Sequence, residues 1–109
     1  MKKSKLKLKE NPTLEDFQKY VQLMVEERGF EGASVSEIFM LFLEECGELA
    51  KASRKAKNMK VDKSSEVFDV ADEAADVFIY LLRICNFFEI DMEDAFRKKE
   101  EKNKLRVWK

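Results

Sequence analysis

The sequence predicts an all-α chain: an antiparallel helical bundle of about four helices, its core completed by homo-oligomerisation. Three observations carry this expectation. Only three Gly and one Pro occur in 109 residues, too few for the tight turns of an all-β fold. Polar capping residues stand ahead of long segments at Thr13, Ser34 and Asp91. Apolar residues then recur at spacings of three and four. A chain of this length forms one modest core and leaves apolar surface for a partner, as a homodimer or a tetramer.

Each element has its own signal. Residues 1–12 are expected to be a basic, flexible tail, and 13–109 a single domain. Thr13 with Asp16 makes a capping box for a first helix running to about Arg28. Its apolar stripe is Phe17, Tyr20, Val21, Met24 and Val25. Ser34 with Glu37 opens a second helix that extends to about Lys57, with Ile38, Leu41, Phe42, Leu49 and Ala52 apolar. A third helix is expected from about Ser65 to Phe88, carrying Val67, Val70, Ala74, Val77, Leu81, Ile84 and Phe88. Asp91 with Asp94 caps a fourth, continuing to about Arg106.

The formal net charge of −1 hides a segregation. Both ends are rich in Lys and Arg, and the acidic residues concentrate between them. An acidic body with basic ends suits a cation at the centre and phosphates on the tail. The absence of His excludes a His-based triad, a His-ligated zinc and a His general base, so metal chemistry must use carboxylates. Cys46 and Cys85 lie inside apolar helical patterns and read as reduced core residues of a cytoplasmic protein. The lysine-rich start lacks the apolar stretch of a signal peptide, and no segment is long and apolar enough to span a membrane.

The informative feature is a pair of carboxylate pairs. The second helix contains Glu45 and Glu48, the third Glu73 and Asp76. Residues three apart share a helix face. Glu45 and Glu48 interrupt a stripe that is otherwise apolar, where an unpartnered charge costs several kcal/mol, of the order of 2–7. If the two helices pack antiparallel, the four carboxylates meet at one level. A hard divalent cation then resolves their repulsion, and an all-oxygen donor set selects Mg²⁺, Mn²⁺ or Ca²⁺ over zinc. Glu44 is a candidate water activator. Gly47, in mid-helix, suggests close helix approach or ligand access.

These residues resemble a known family. The pattern Glu45-x-x-Glu48, a gap of 24 residues, then Glu73-x-x-Asp76 is similar to the signature of the MazG-like nucleotide pyrophosphohydrolases, in the all-α NTP pyrophosphatase superfamily. The flanks LFLEECGELAKASRK (41–55) and DEAADVFIYLL (72–82) resemble that family's two metal helices, and the likeness extends over roughly 13–108. The resemblance implies hydrolysis of a nucleoside triphosphate between the α and β phosphates, giving monophosphate and pyrophosphate. It assigns Mg²⁺, or Mn²⁺ in its place, to Glu45, Glu48, Glu73 and Asp76, with Glu44 or Glu45 as base. It also implies a role in nucleotide house-cleaning.

The resemblance extends to a second feature of that family, of the form K-x-x-x-N-x-x-R, matched here by Lys99, Asn103 and Arg106, which four- and three-residue spacing puts on one face of the fourth helix. These residues are expected to grip triphosphate and sugar, with Lys51 and Arg54 as further phosphate contacts. Phe17, Phe39, Phe42, Tyr80 and Trp108 are candidates for base stacking, Trp108 foremost. Two other readings compete. Phosphoribosyl-ATP pyrophosphohydrolase belongs to the same superfamily, but typically has a His where Leu81 follows Tyr80 here. A non-catalytic helical interaction module would leave the acids as a solvated face. A di-iron bundle is disfavoured because it needs His, and nucleic acid is not expected on an acidic body.

Overall fold

Thr13 starts the first helix by closing a reciprocal capping box. Its hydroxyl accepts from the Asp16 backbone N–H at 3.2 Å, and its own N–H donates to the Asp16 carboxylate at 2.8 Å. That donation, together with Lys9 at 3.3 Å, holds the Asp16 carboxyl below its ordinary range. The computed structural model describes residues 3–57 and 70–107. Over them the chain forms α1 (Leu14–Glu27), α2 (Val35–Ala56), α3 (Val70–Phe87) and α4 (Met92–Lys104), with no strand among the described residues. The expected all-α class with four helices is therefore observed. The expected start of the third helix, with Val67, lies outside the described residues. Among those described, no helix is long and apolar enough to cross a membrane.

The chain divides into two compact units, Met1–Gly32 with Cys85–Lys109, and Ala33–Ile84. In the first, Val21, Met24 and Val25 bury the predicted stripe of α1, with Phe17 and Tyr20 half-buried. Helix α1 ends in a Schellman motif. Gly29 at φ +73° donates to the Glu26 carbonyl, and Phe30 donates to Val25. The end of α3 repeats the motif, with Glu89 donating to Asn86 and Ile90 to Cys85. Here the left-handed position holds Glu89 at φ +55° rather than Gly. A side chain in that conformation costs roughly 1–2 kcal/mol.

One side chain joins three elements of this unit. The Gln18 amide on α1 donates to the Asn86 side-chain oxygen at 3.1 Å and to the Ile90 carbonyl at 2.7 Å. Its oxygen accepts from the Met92 N–H at the start of α4, at 2.9 Å. Asn86 returns a bond to the Gln18 carbonyl at 2.9 Å. An amide suits this place because it offers donors and an acceptor together. Helix α4 packs against α1 and has no buried residue. It is braced along its surface by Arg97–Glu93 and Lys98–Asp94, both at 2.9 Å, and by Lys104–Glu101 at 3.4 Å. Helix α4 stops at Lys104 rather than Arg106, because Leu105 is its cap.

In the second unit α2 starts at Ser34, whose hydroxyl accepts from the Glu37 N–H. Ile38 and Ala52 are buried, Phe42 and Leu49 half-buried, and Leu41 more exposed than the stripe implied. On α3 Leu82 is fully buried, whereas the predicted Ala74 is exposed.

Two opposite effects on stability follow. Gln18→Ala strands the Ile90 and Met92 backbone groups and should cost about 1–3 kcal/mol. Glu89→Gly removes the strain and a negative charge from a helix C-terminus, and should gain about 1 kcal/mol. Calorimetry should resolve both, at roughly 4–8 °C in Tm per kcal/mol. Equal melting temperatures would refute both assignments.

Candidate metal centre

Helix α2 presents Glu45 inward because of what flanks it. Ile38 and Ala52 lie seven residues to either side, two full turns, and both are buried. Glu45 therefore occupies the centre of the packed face and is half-buried. On α3 the residues Glu73, Val77, Tyr80 and Ile84 recur at four, three and four, and all are half-buried or buried. Asp76 is exposed, one turn beyond Glu73.

Oxygens of Glu45, Glu73 and Asp76 lie within 4.8 Å of one another. Among the described residues this is the one group of acidic or sulfur ligands so arranged. Burial raises the Glu45 carboxyl above its ordinary value, and the charges of Asp76, Glu73, Glu48 and Glu44 add to the rise. The Glu73 carboxyl is raised by desolvation first, then by Asp76, Glu48 and Asp72. Glu48 thus contributes charge to the cluster but stands outside it. Three residues on from Glu45, it turns about 60° away from the packed face and is exposed.

The donor set fits a small hard cation. Three carboxylate oxygens within 4.8 Å of one another would suit such an ion by their hard-oxygen chemistry. Three oxygens leave coordination positions for water and phosphate.

Glu44 is exposed, as are Lys51 and Arg54 in the last two turns of α2. Lys99 (exposed) and Asn103 (half-buried) lie on α4, in the other unit. Arg106 lies two residues beyond the end of that helix. Its N–H bonds the Asn103 carbonyl at 3.1 Å, continuing the turn without the helix. Trp108 lies outside the described residues. Of the stacking candidates, Tyr80 has the Arg83 guanidinium 5.2 Å from its ring centroid, and Phe39 is exposed. Arg83 and Lys55 are buried charged groups that sequence reasoning did not single out. The signal for both was a cation set within an apolar helix pattern.

Gly47 is not explained by helix approach within the chain. A Cβ there would meet nothing within 4 Å. Both cysteines are free, Cys85 buried and Cys46 half-buried. Burial pushes the Cys85 thiol up.

Among the described residues, three converging carboxylates on two helices of an all-helical chain define a class, helical proteins whose candidate metal site is built from carboxylates without His. The MazG nucleotide pyrophosphohydrolase domain matches residues 33–108, which include both acidic helices. The chain belongs to that family. The match begins after α1, so it is shorter than the likeness read over 13–108. No curated protein matches the sequence.

The raised carboxyls set a pH dependence. The folded state holds protons on Glu45 and Glu73 that the unfolded chain has already lost. Without divalent ions, stability should therefore fall as pH rises from the ordinary carboxyl value through the raised ones. Mg²⁺ should raise Tm more at pH 7 than at pH 5, since protons compete for the same oxygens. Glu45→Gln should raise the metal-free Tm at pH 7 and remove most of the Mg²⁺ shift. A Mg²⁺ response equal in wild type and variant would contradict the cluster's role.

Proposed function

We propose that this chain is a Mg²⁺-dependent nucleoside triphosphate pyrophosphohydrolase. It hydrolyses the α–β phosphate bond and releases monophosphate and pyrophosphate. The observation that carries the reading is the convergence of Glu45, Glu73 and Asp76 within a segment matched by the MazG domain. In this reading those three residues hold the cation, and Mn²⁺ can replace it. Glu48 completes the ligand set by rotating inward. Bound Mg²⁺ supplies a Lewis-acid centre that neutralises phosphate oxygens and acidifies water.

The chain's own residues do the rest. The exposed Glu44, or Glu45 beside it, takes the proton from the attacking water. Lys51 and Arg54 meet phosphate oxygens, and Lys99, Asn103 and Arg106 hold the remainder of the nucleotide with Trp108 against the base. A negatively charged cluster binds a polyphosphate poorly without a cation, which makes the activity conditional on the metal. The physiological role is removal of unwanted nucleotides in the cytoplasm.

The reading also takes residues 1–12 as a basic tail and 13–109 as a helical domain. The domain is an antiparallel bundle that completes its core as a homodimer or tetramer. Exposed Phe39, Met40, Leu43, Phe96 and Val107 support this, since a small chain seldom leaves so many large apolar side chains in water.

The test is a panel of canonical and modified triphosphates, with phosphoribosyl-ATP beside them, assayed with Mg²⁺ for monophosphate and pyrophosphate. Asp76→Asn should lower kcat by about 100-fold or more, and Glu48→Gln by less, consistent with metal-ligand losses. Pyrophosphate release unchanged in the double variant would overturn the site. Absence of binding to a non-hydrolysable triphosphate with Mg²⁺, by calorimetry, would favour a non-catalytic module.

A further inference from the structure

Helix α3 carries one basic residue, Arg83, and buries it. Arg83 is 7% exposed, in a run with Leu82, Ile84 and Cys85, which are buried as well. A guanidinium keeps its charge at every pH a folded protein tolerates, so removing it from water is costly. An apolar side chain of similar volume would fill the same space without that cost. Packing alone therefore does not call for a cation at this position.

The reason lies one turn back along the helix. The Arg83 guanidinium stands 5.2 Å from the centroid of the Tyr80 ring, within reach of the ring's negative face. Helical side chains lean toward the N-terminus, over the residues three and four before them. Arg83 thus covers the turn that holds Tyr80, and Tyr80 covers the turn that holds Asp76 and Val77. With 3.6 residues per turn, Glu73, Asp76, Tyr80 and Arg83 fall within a sector of about 80° of α3, and Tyr80 lies between the directions of the two acids. Along the axis Tyr80 is about 6 Å past Asp76, and Arg83 about 10.5 Å. The order on this face is acids, ring, cation. Arg83 does not act on the acids themselves, since the charges that raise the Glu45 and Glu73 carboxyls all belong to other carboxylates. Tyr80 is half-buried and Asp76 exposed, so the ring borders the open side of the cluster. A nucleoside attached to phosphates held at Glu73 and Asp76 meets that ring one turn along.

We infer that Arg83 is a positioning residue for the substrate: stacked on Tyr80, it fixes the ring as a wall against the nucleoside end of the bound triphosphate. The inference rests on the reaction proposed above, and adds to it a substrate contact and the group that holds that contact in place. Arg suits the position because its plane lies flat on an aromatic face, where Lys offers only a point charge.

Steady-state kinetics of the full chain, with Mg²⁺ and the best triphosphate of the panel above, test the inference. Arg83→Met keeps the bulk and removes the cation, so KM should rise by about 10-fold while kcat stays within about twofold. Arg83→Lys keeps the charge without the plane, and should raise KM by about threefold. Tyr80→Leu should raise KM by about 10-fold or more, and in that background neither Arg83 substitution should raise it further. Calorimetric Mg²⁺ affinity should be the same in all of them, because neither residue is a ligand. A purely structural Arg83 would reduce the amount of active protein, lowering kcat and leaving KM alone, and that result overturns the inference. So does a KM that both Arg83 variants leave unchanged, or one that they still raise in the Tyr80→Leu background. Should Arg83→Met fail to fold, Arg83→Lys in the two backgrounds decides the same question. A wild-type chain that binds Mg²⁺ but hydrolyses no triphosphate overturns the reaction and this assignment together. An active wild type with uncoupled Tyr80 and Arg83 overturns the assignment alone.

Discussion

Three carboxylates held against one another dominate the physics of this chain. Oxygens of Glu45, Glu73 and Asp76 are brought within 4.8 Å of one another by α2 and α3. Ile38 and Ala52 anchor α2 on either side of Glu45, and Val77, Tyr80 and Ile84 continue the face that Glu73 begins. The conflict appears in the upward displacement of the Glu45 and Glu73 carboxyls, caused by burial and by the neighbouring charges. A divalent cation held between these oxygens would offset the same repulsion.

The first unit solves a different problem. It joins α1, the end of α3 and the start of α4 at a place where backbone groups emerge from helix termini. Gln18 and Asn86 satisfy these groups with neutral amides, so no buried charge is needed. The turn between α3 and α4 keeps Glu89 in a left-handed conformation at some cost in energy. Around this polar clasp the unit needs few buried side chains, and α4 survives with none. Its surface ion pairs hold it as a helix, and its packing on α1 holds it in place. Membership of the MazG family rests on the segment after α1, so this clasp joins an element outside the matched region to two within it.

Among the described residues several large apolar side chains stand exposed. Met40 and Leu43 on α2, Phe96 on α4, and Leu105 and Val107 beyond it are more exposed than any core role allows. A chain of this size has a high ratio of surface to volume, and association is the usual means by which such chains bury the remainder.

The sequence by itself determined the helices, their caps at Thr13, Ser34 and Asp91, and the pairing of acids at three-residue spacing. These are local properties: a cap needs one side chain and one turn, and a spacing of three needs only helical pitch. The MazG signature was legible for the same reason, being two short patterns on two helices. Tertiary structure decided which acids meet. Glu48 was indistinguishable from Glu45 by spacing, yet only Glu45 lies midway between buried anchors, and Glu48 turns outward. It also decided that α4 ends before Arg106, that Gln18 is a junction, and that Gly47 faces open space. Each of these depends on what stands opposite a side chain, and residues distant in sequence determine that through packing, which no local pattern records.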